Sequence, residues 1–525
     1  MENTVNTEWK PTIPPWYTAG ALMLAVFIFA LDGTIANVAL PHMAGSFSSS
    51  RDESMWILTS YLIASGIVIP MVDWFSKVLG RKNFFMLSVL LFTVASILCG
   101  FAQNLGFMVI ARVIQGFGGG GIIPIAQAIL MESFPREKRG QAMSMFGLGV
   151  ITAPIIGPVL GGWITDNWSW PWIFFINVPF GFLGIYFANK FIEDPPYVRK
   201  QKDVKTDGIG FLFLTIWLVT LQIVLDKGNN ADWFNARWIC WTFTISVISG
   251  IIFFITQLTR KDTLIDLKVF KDRNFVAATV IMVVIQAVLY ATLAILPQFL
   301  QSMLGYTAYL SGVTMMPRGI GAFVSTILCG YLSTRVSGKI LVCIGLICVT
   351  TAGFMLGMLN LQISNINIIL PNILMGFGMG FSMIPLLAMS VETLKNEQMT
   401  NASGIQNLLK NIGGAIGTSL VATMLTRFAQ VHQHYMVKEL TPLNDIYNEK
   451  LSSTAGALGA YTSPDMANYM AEYSLYGELI EQANLWAFID SFRIFSICCL
   501  VIIPLLLLIK TQMGHERDKK RQAKS

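Results

Sequence analysis

The sequence predicts an all-α polytopic membrane protein of roughly fourteen spanning helices in two related halves. Three observations predict it. Hydrophobic residues make up 54% of the chain and charged ones only 13%, with a mean hydropathy of +0.59, a balance foreign to a soluble core. Apolar runs long enough to cross a bilayer recur from Trp16 to Ile509. Lys and Arg collect in every second loop, as they do when alternate loops face the cytoplasm.

In chain order, the first six spans fall near Trp16–Leu40, Met55–Val72, Phe84–Phe101, Phe107–Met131, Ala142–Ile164 and Trp172–Asn189. Two more lie near Ile209–Leu225 and Trp238–Leu258. The last six lie near Phe275–Leu300, Ser311–Leu332, Ile340–Leu359, Ile366–Met389, Gly404–Thr426 and Ala487–Ile509. The basic loops hold Lys77, Arg81 and Lys82; Arg136, Lys138 and Arg139; Arg199, Lys200, Lys202 and Lys205; and the tail around Lys519. Both termini are therefore expected in the cytoplasm. Residues 427–486 form one long polar segment on the other side, a small exterior element with helix-like stretches such as Ala467–Asn484.

The fifth span is the most distinctive stretch. In GLGVITAPIIGPVLGG, Gly149, Ala153, Gly157 and Gly161 recur every four residues. They leave one helix face almost without side chains, so another helix can approach closely. Pro154 and Pro158 remove N–H groups and bend the helix. A bent helix with a bare stripe is expected where two bundles meet and rock. Gly413 and Gly417 repeat the spacing in the second half, as internal repeats of secondary transporters do.

Ionisable groups in hydrocarbon are costly, so each is a functional candidate. Asp32 sits roughly 24 Å into the first span, and Arg112 roughly 8 Å into the fourth, which enters from the opposite side, so both fall in the outer half at similar depth. Burial raises the pKa of a carboxyl and a nearby Arg lowers it, so a group moved between the two environments is a proton switch. A static structural ion pair is the alternative. Arg318 and Lys410 lie in the second half, as substrate contacts or as snorkelling and locking groups. Asp73 ends the second span and is expected to be solvated. Trp56, Tyr61, Phe146, Phe174, Tyr290, Met315, Met316, Met383 and Met389 are candidates for an adaptable apolar cavity, although such residues often only pack. The substrate-cavity set is Tyr61, Phe146, Tyr290, Arg318 and Lys410.

Other classes are disfavoured. No GxxxxGK[ST] loop stands in the chain, so ATP drive is not indicated. The seven cysteines lie in apolar spans, which suggests neither a disulfide framework nor a metal centre. The net charge of +6 comes from the basic loops and calls for no nucleic acid. Residues 1–15 are polar and the first apolar run is too long for a cleavable leader. No cofactor is expected.

Several motifs converge. LDGTIANVALP runs from Leu31 to Pro41, and an RxxQGxG pattern from Arg112 through Gln115 and Gly116 to Gly118. Ala153-Pro154, Gly157-Pro158 and Gly161-Gly162 complete the fifth-span pattern. SWPWIFFINVPFG spans Ser169–Gly181, Leu296-Pro297-Gln298 leads towards Pro317, and AFIDSFR carries Asp490 and Arg493. Over nearly its whole length the chain resembles the major facilitator superfamily, specifically its fourteen-helix drug:proton antiporters of the EmrB type. Gly80, Arg81 and Lys82 match the family's loop after the second span. Asp73 and Lys77 depart from that loop, and Pro171 stands where the family has Arg.

The resemblance implies the major facilitator fold, two six-helix bundles with two extra helices between them. The implied division is an N-tail at 1–15, a first bundle at 16–189, linkers with two helices at 190–273, a second bundle at 274–510 and a basic tail at 511–525. It also implies a non-enzymatic, proton-driven export of hydrophobic drugs or toxic amphiphiles across the inner membrane of a Gram-negative cell. Asp32 and Arg112 would then couple protons, with Pro154, Gly157, Pro158, Gly161 and Gly162 as the conformational motif. A periplasmic membrane-fusion adaptor and an outer-membrane channel are the implied partners, with the exterior element as the adaptor contact. The rivals are an exporter of one anionic metabolite, anchored by Arg318 and Lys410, and a membrane-embedded sensor or enzyme. Of the four histidines only His432 and His434 are close-set, which leaves the last reading little support.

Overall fold

The computed structural model describes residues 12–135, 138–194, 207–260, 263–333, 335–364, 366–395 and 398–509. The linker at 195–206, the tail at 510–525 and the side chain of Pro158 lie outside the described residues. The first half of the chain forms α1 (Pro15–Ser46), α2 (Trp56–Leu79), α3 (Arg81–Gly100), α4 (Leu105–Ser133), α5 (Arg139–Asn167) and α6 (Trp172–Phe191). Two helices follow, α7 (Gly208–Lys227) and α8 (Arg237–Thr259). The second half forms α9 (Arg273–Ser302), α10 (Ala308–Leu332), α11 (Gly338–Leu356), α12 (Ile366–Ser390), α13 (Met399–Val437) and α14 (Pro464–Val501). Thirteen of the helices are long and apolar enough to span a membrane, and α5 makes fourteen when its two bent segments are taken as one span.

Several helix starts are readable in the sequence. Pro15 occupies the first turn of α1, where its missing N–H costs nothing. Asn104, Asp207, Asp272 and Thr307 each accept a backbone N–H at the start of α4, α7, α9 and α10, satisfying a donor the helix leaves open.

In the first bundle α1 packs on α5 and α6, while α4 packs on α2 and α3. In the second, α12 packs on α10 and α11, and α13 on α9 and α14. The α7–α8 pair lies outside both. Thr59 of α2 donates to Asp226 at 2.9 Å, and Trp233 after α7 donates to Thr423 of α13 at 3.1 Å.

The bundles meet where α5 packs against α10 and α12, and where α2 and α4 pack against α13. The polar contacts across this seam lie toward the end that carries the basic loops, here called the basic end. Gln127 of α4 donates to Gln406 of α13 at 3.2 Å and accepts from Asn407 at 3.0 Å. Gly330 and Gly140 lie close against Ser144 and Ser333 respectively, so α5 and α10 touch nearly backbone to backbone.

The long polar segment at 427–486 is largely helix rather than loop. At about 1.5 Å per residue, the 39 residues of α13 outrun a hydrocarbon core of about 30 Å, so one end of the helix projects beyond it. The 38-residue α14 does the same. Between them a surface helix, Asp445–Leu458, packs on α14. It borders an open groove of about 370 Å³ lined by Leu440, Tyr447, Leu475 and Trp486. The sequence reading stopped α13 early because hydropathy reports lipid exposure, not helix length.

Candidate functional site

Asp32 lies inside α1 and Arg112 in α4, and both side chains are 0% exposed. Arg112 Nη1 meets Asp32 Oδ2 at 2.7 Å. The other carboxylate oxygen, Oδ1, accepts from Gln115 Nε2 at 3.0 Å and from Asn177 Nδ2 at 2.9 Å. Ser96 Oγ accepts from the same two amides and donates to the carbonyl of Phe174. Arg112 Nε donates to the Ile57 carbonyl at 3.1 Å. Its guanidinium lies 4.0 Å from the centre of the Tyr61 ring, a cation–π distance. Arg112 Nη2 has no partner. Helices α4 and α6 thus end polar groups on the carboxylate of α1, Ser96 of α3 braces the two amides, and α2 closes over the Arg.

The chemistry follows from the donors. Three N–H groups aim at two oxygens, so the carboxylate form fits the cage, and a proton arriving on Asp32 must displace one of them. It also removes the counter-charge of a buried guanidinium, a state several kcal/mol less favourable than the pair. Sequence reasoning paired Asp32 with Arg112 by depth and singled out Gln115. It missed Asn177 and Ser96. Asn177 had a signal, an amide in an apolar span; Ser96 had none.

The glycine stripe of α5 packs on α1, inside its own bundle, while the helix itself stands where the two bundles meet. A Cβ at Gly149 would stand 3.5 Å from Met23 Sδ. At Gly157 it would press on Thr34 and on Ile35 N, and at Gly161 it would stand 2.7 Å from Ile35 Cγ1 and 3.0 Å from the Ile35 carbonyl. The four-residue period predicts a close neighbour; it does not say which helix the chain folds there. The stripe therefore grips α1 two to three residues past Asp32. The bend is present: Arg139–Pro154 and Val159–Asn167 diverge by 44°. Gly116 of α4 lies equally close to α2, 2.8 Å from Ala64 Cβ in the same sense. Gly162, on the edge of the stripe, has only Val38 nearby, at 3.7 Å.

At the basic end the loop motif is built despite its departures. Gly80 has φ +84°, a conformation favouring glycine, and lies against Asp194. Arg81 forms a buried ion pair with Glu132 of α4. Lys82 N donates to Asp194 Oδ1 at 2.9 Å. Asp73 is not solvated: it is 7% exposed and pairs with Lys77 at 2.6 Å, one turn on.

The proposed cavity residues divide. Phe146 is buried in the core shared by both bundles, and Arg318 sits inside the second bundle, between Asn372 of α12 at 3.2 Å and Thr292 of α9 at 3.4 Å. Helix packing turned Arg318 into its own bundle and left Phe146 in the core common to the two. Tyr61, Tyr290 and Lys410 are different. Tyr290 is 42% exposed, lies within electrostatic reach of Tyr61 across the seam, and touches Gly414, one turn from Lys410.

The comparisons agree with this architecture. The family model described as Major Facilitator Superfamily matches residues 22–418. The chain is 33% identical to "Probable multidrug resistance protein EmrY" of Escherichia coli K12 over 82% of its length and 84% of the relative's. It is 31% identical to "Multidrug export protein EmrB" of the same strain over 88% and 90%. The crystal structure of the human organic anion transporter MFSD10 (TETRAN) superposes with a TM-score of 0.61 over 94% of this chain and 99% of that one, at 13% identity, a likeness of fold alone. With fourteen apolar spans, two packed bundles and these matches, the chain belongs to the Major Facilitator Superfamily.

Proposed function

We propose that this chain is a proton-coupled antiporter that exports hydrophobic drugs or toxic amphiphiles. The observation that carries the reading is the sealed Asp32–Arg112 pair. A carboxylate held by one cation and two amides in a dry bundle is a poor structural economy, since buried pairs seldom out-stabilise an apolar core. It is a good proton site. Protonation frees Arg112 and loosens the turn of α1 that α5 grips through Gly157 and Gly161. The bent α5 is also the helix of the first bundle that meets α10 and α12, so a proton at Asp32 has a short packed route to the contact between bundles. Related proteins bear multidrug-resistance and multidrug-export names, which supports the substrate class.

The basic end is then the cytoplasmic one, with both termini inside, and the membrane is the inner membrane of a Gram-negative cell. Residues 16–189 and 274–510 act as the rocking bundles, with the α7–α8 pair carried on the outside. The helical exterior element faces a periplasmic membrane-fusion adaptor leading to an outer-membrane channel. Proteoliposomes with an imposed pH gradient test the reading: a panel of hydrophobic dyes should move against its gradient only while the proton gradient lasts. Dye movement unaffected by collapsing that gradient overturns it.

A further inference from the structure

We propose that the α7–α8 pair is a brace carried by the second bundle, and that the hydrogen bond from Thr59 to Asp226 is the contact that breaks when the bundles part at the end opposite the basic one. This deepens the exporter reading and rests on it. The pair grips α13 near both of its ends. At the basic end Gln257 of α8 donates to Asp207, the cap of α7, at 2.7 Å and accepts from Ile265 N at 3.1 Å. The next residue, Asp266, exchanges two bonds with Asn401 in the first turn of α13, at 3.2 and 2.8 Å. Beyond the far end of α7, Trp233 donates to Thr423 at 3.1 Å. Asp232 pairs with Arg427, one turn further along α13.

The first bundle is held more thinly. Helix α7 rests on α2 as well as on α13. Yet among the described residues one hydrogen bond joins the pair to the first bundle, from Thr59 Oγ1 to Asp226 Oδ2 at 2.9 Å. Toward the basic end, Leu62 and Gly66 of α2, Leu221 and Leu225 of α7, and Leu408 and Ile412 of α13 line one largely apolar crevice. Apolar side chains slide past one another without losing a directed bond. A rigid-body swing of one bundle against the other therefore breaks the Thr59 bond and leaves the grip on α13 intact. Thr59 also stands beside the proton site. Ile57 and Tyr61, one turn apart on α2, hold Arg112 through the Ile57 carbonyl and the Tyr61 ring. Thr59 lies between them in sequence and on the opposite side of the helix, toward α7. Releasing Arg112 on one face of α2 thus bears on the Asp226 bond on the other. Thr59 and Asp226 are positioning residues for the opening step.

The test compares two engineered disulfides in the full chain, in proteoliposomes with an imposed pH gradient. The background has the seven native cysteines replaced by serine or alanine. Oxidising Thr59→Cys with Asp226→Cys ties the brace to the first bundle. It should slow dye transport by about tenfold or more, as blocking a gating motion does, with recovery on reduction. Oxidising Trp233→Cys with Thr423→Cys ties the brace to the helix it already follows and should leave the rate within about twofold. Undiminished transport with positions 59 and 226 bridged, or a block with 233 and 423 bridged, overturns the proposal. If the cysteine-free background does not transport, single substitutions in the wild-type chain decide. Thr59→Val should change kcat by about threefold or more with KM unmoved, Thr59→Ser should restore it, and Thr423→Val should change neither. An unchanged kcat in Thr59→Val, or an equal change in Thr423→Val, overturns the proposal. Dye that does not move in wild-type liposomes counts instead against the exporter reading.

Discussion

Asn177 and Asp32 stand 145 positions apart in the chain and 2.9 Å apart in space, the amide donating to the carboxylate. That bond ties α6 to α1 at the one acid buried in the first bundle's proton-site candidate. It makes the site a property of the whole bundle, not of one helix pair, and the consequences are measurable.

Asp32→Asn is predicted to abolish gradient-driven export while the protein still elutes as a folded species. Arg112 is then buried without a counter-charge, at a stability cost of about 3–5 kcal/mol. The double change Asp32→Asn with Arg112→Met should recover most of that stability without recovering export. Normal drug resistance in cells carrying Asp32→Asn would remove Asp32 from the coupling step.

Gly157→Leu is predicted to be inactive, because even a Cβ there presses on Thr34 and Ile35. Overpacking of this kind costs about 1–3 kcal/mol and pushes α5 from the turn of α1 beside Asp32. Gly33→Ala is the control, since nothing lies within 4 Å of a Cβ built at Gly33. Equal transport rates for the two variants would show that the stripe does not transmit anything.

Gln127→Leu alone should destabilise the closed basic end, leaving Gln406 and Asn407 without their partner at a cost of about 1–3 kcal/mol. Gln127→Leu combined with Gln406→Leu should be nearly neutral for stability yet slow for transport, because an apolar seam favours closure. Labelling of a cysteine placed at Ser403 reads the opening directly: slower labelling in the double variant supports the amide contact as a gate, and unchanged labelling argues against it.

Asp232 and Arg427 pair between the α7–α8 connection and the end of α13. The Asn235 side-chain amide first, and the Arg427 charge second, hold the Asp232 carboxyl below its ordinary range near 3.8. A depressed acid contributes its stabilisation above the unfolded value and loses it as pH falls through the folded one. Trp233, which bonds Thr423 at 3.1 Å, is the local reporter. Its fluorescence should stay constant down to about pH 4 and change only below it, and Asp232→Asn should flatten that change. A transition near neutral pH would assign the effect to another group.

Replacing residues 438–463 by a short Gly/Ser linker removes the surface helix while α13 and α14 stay whole. Dye transport in proteoliposomes should persist, and resistance in cells should fall together with co-purification of an adaptor. Full resistance and adaptor capture after the deletion would exclude the element as the docking surface.

The sequence by itself determined the spans and what they contain. Hydropathy over about twenty residues sees the bilayer directly, so each of the fourteen helices was readable, and so was the anomaly of Asp32 and Arg112 in hydrocarbon. Counting rise per residue even brought that pair to one depth. What a one-dimensional period lacks is azimuth and partner. It shows that Gly157 and Gly161 invite a helix, but only packing decided that the helix is α1. Hydropathy likewise places Arg318 in a span, but only helix rotation turned it toward Asn372 and Thr292 of its own bundle. The cage around Asp32 needed Asn177, legible only as an amide in an apolar span, and Ser96, which leaves no trace in the sequence. Their role exists because α3 and α6 close on α1 and α4, and a hydrogen bond spanning 145 positions is settled by tertiary contact alone.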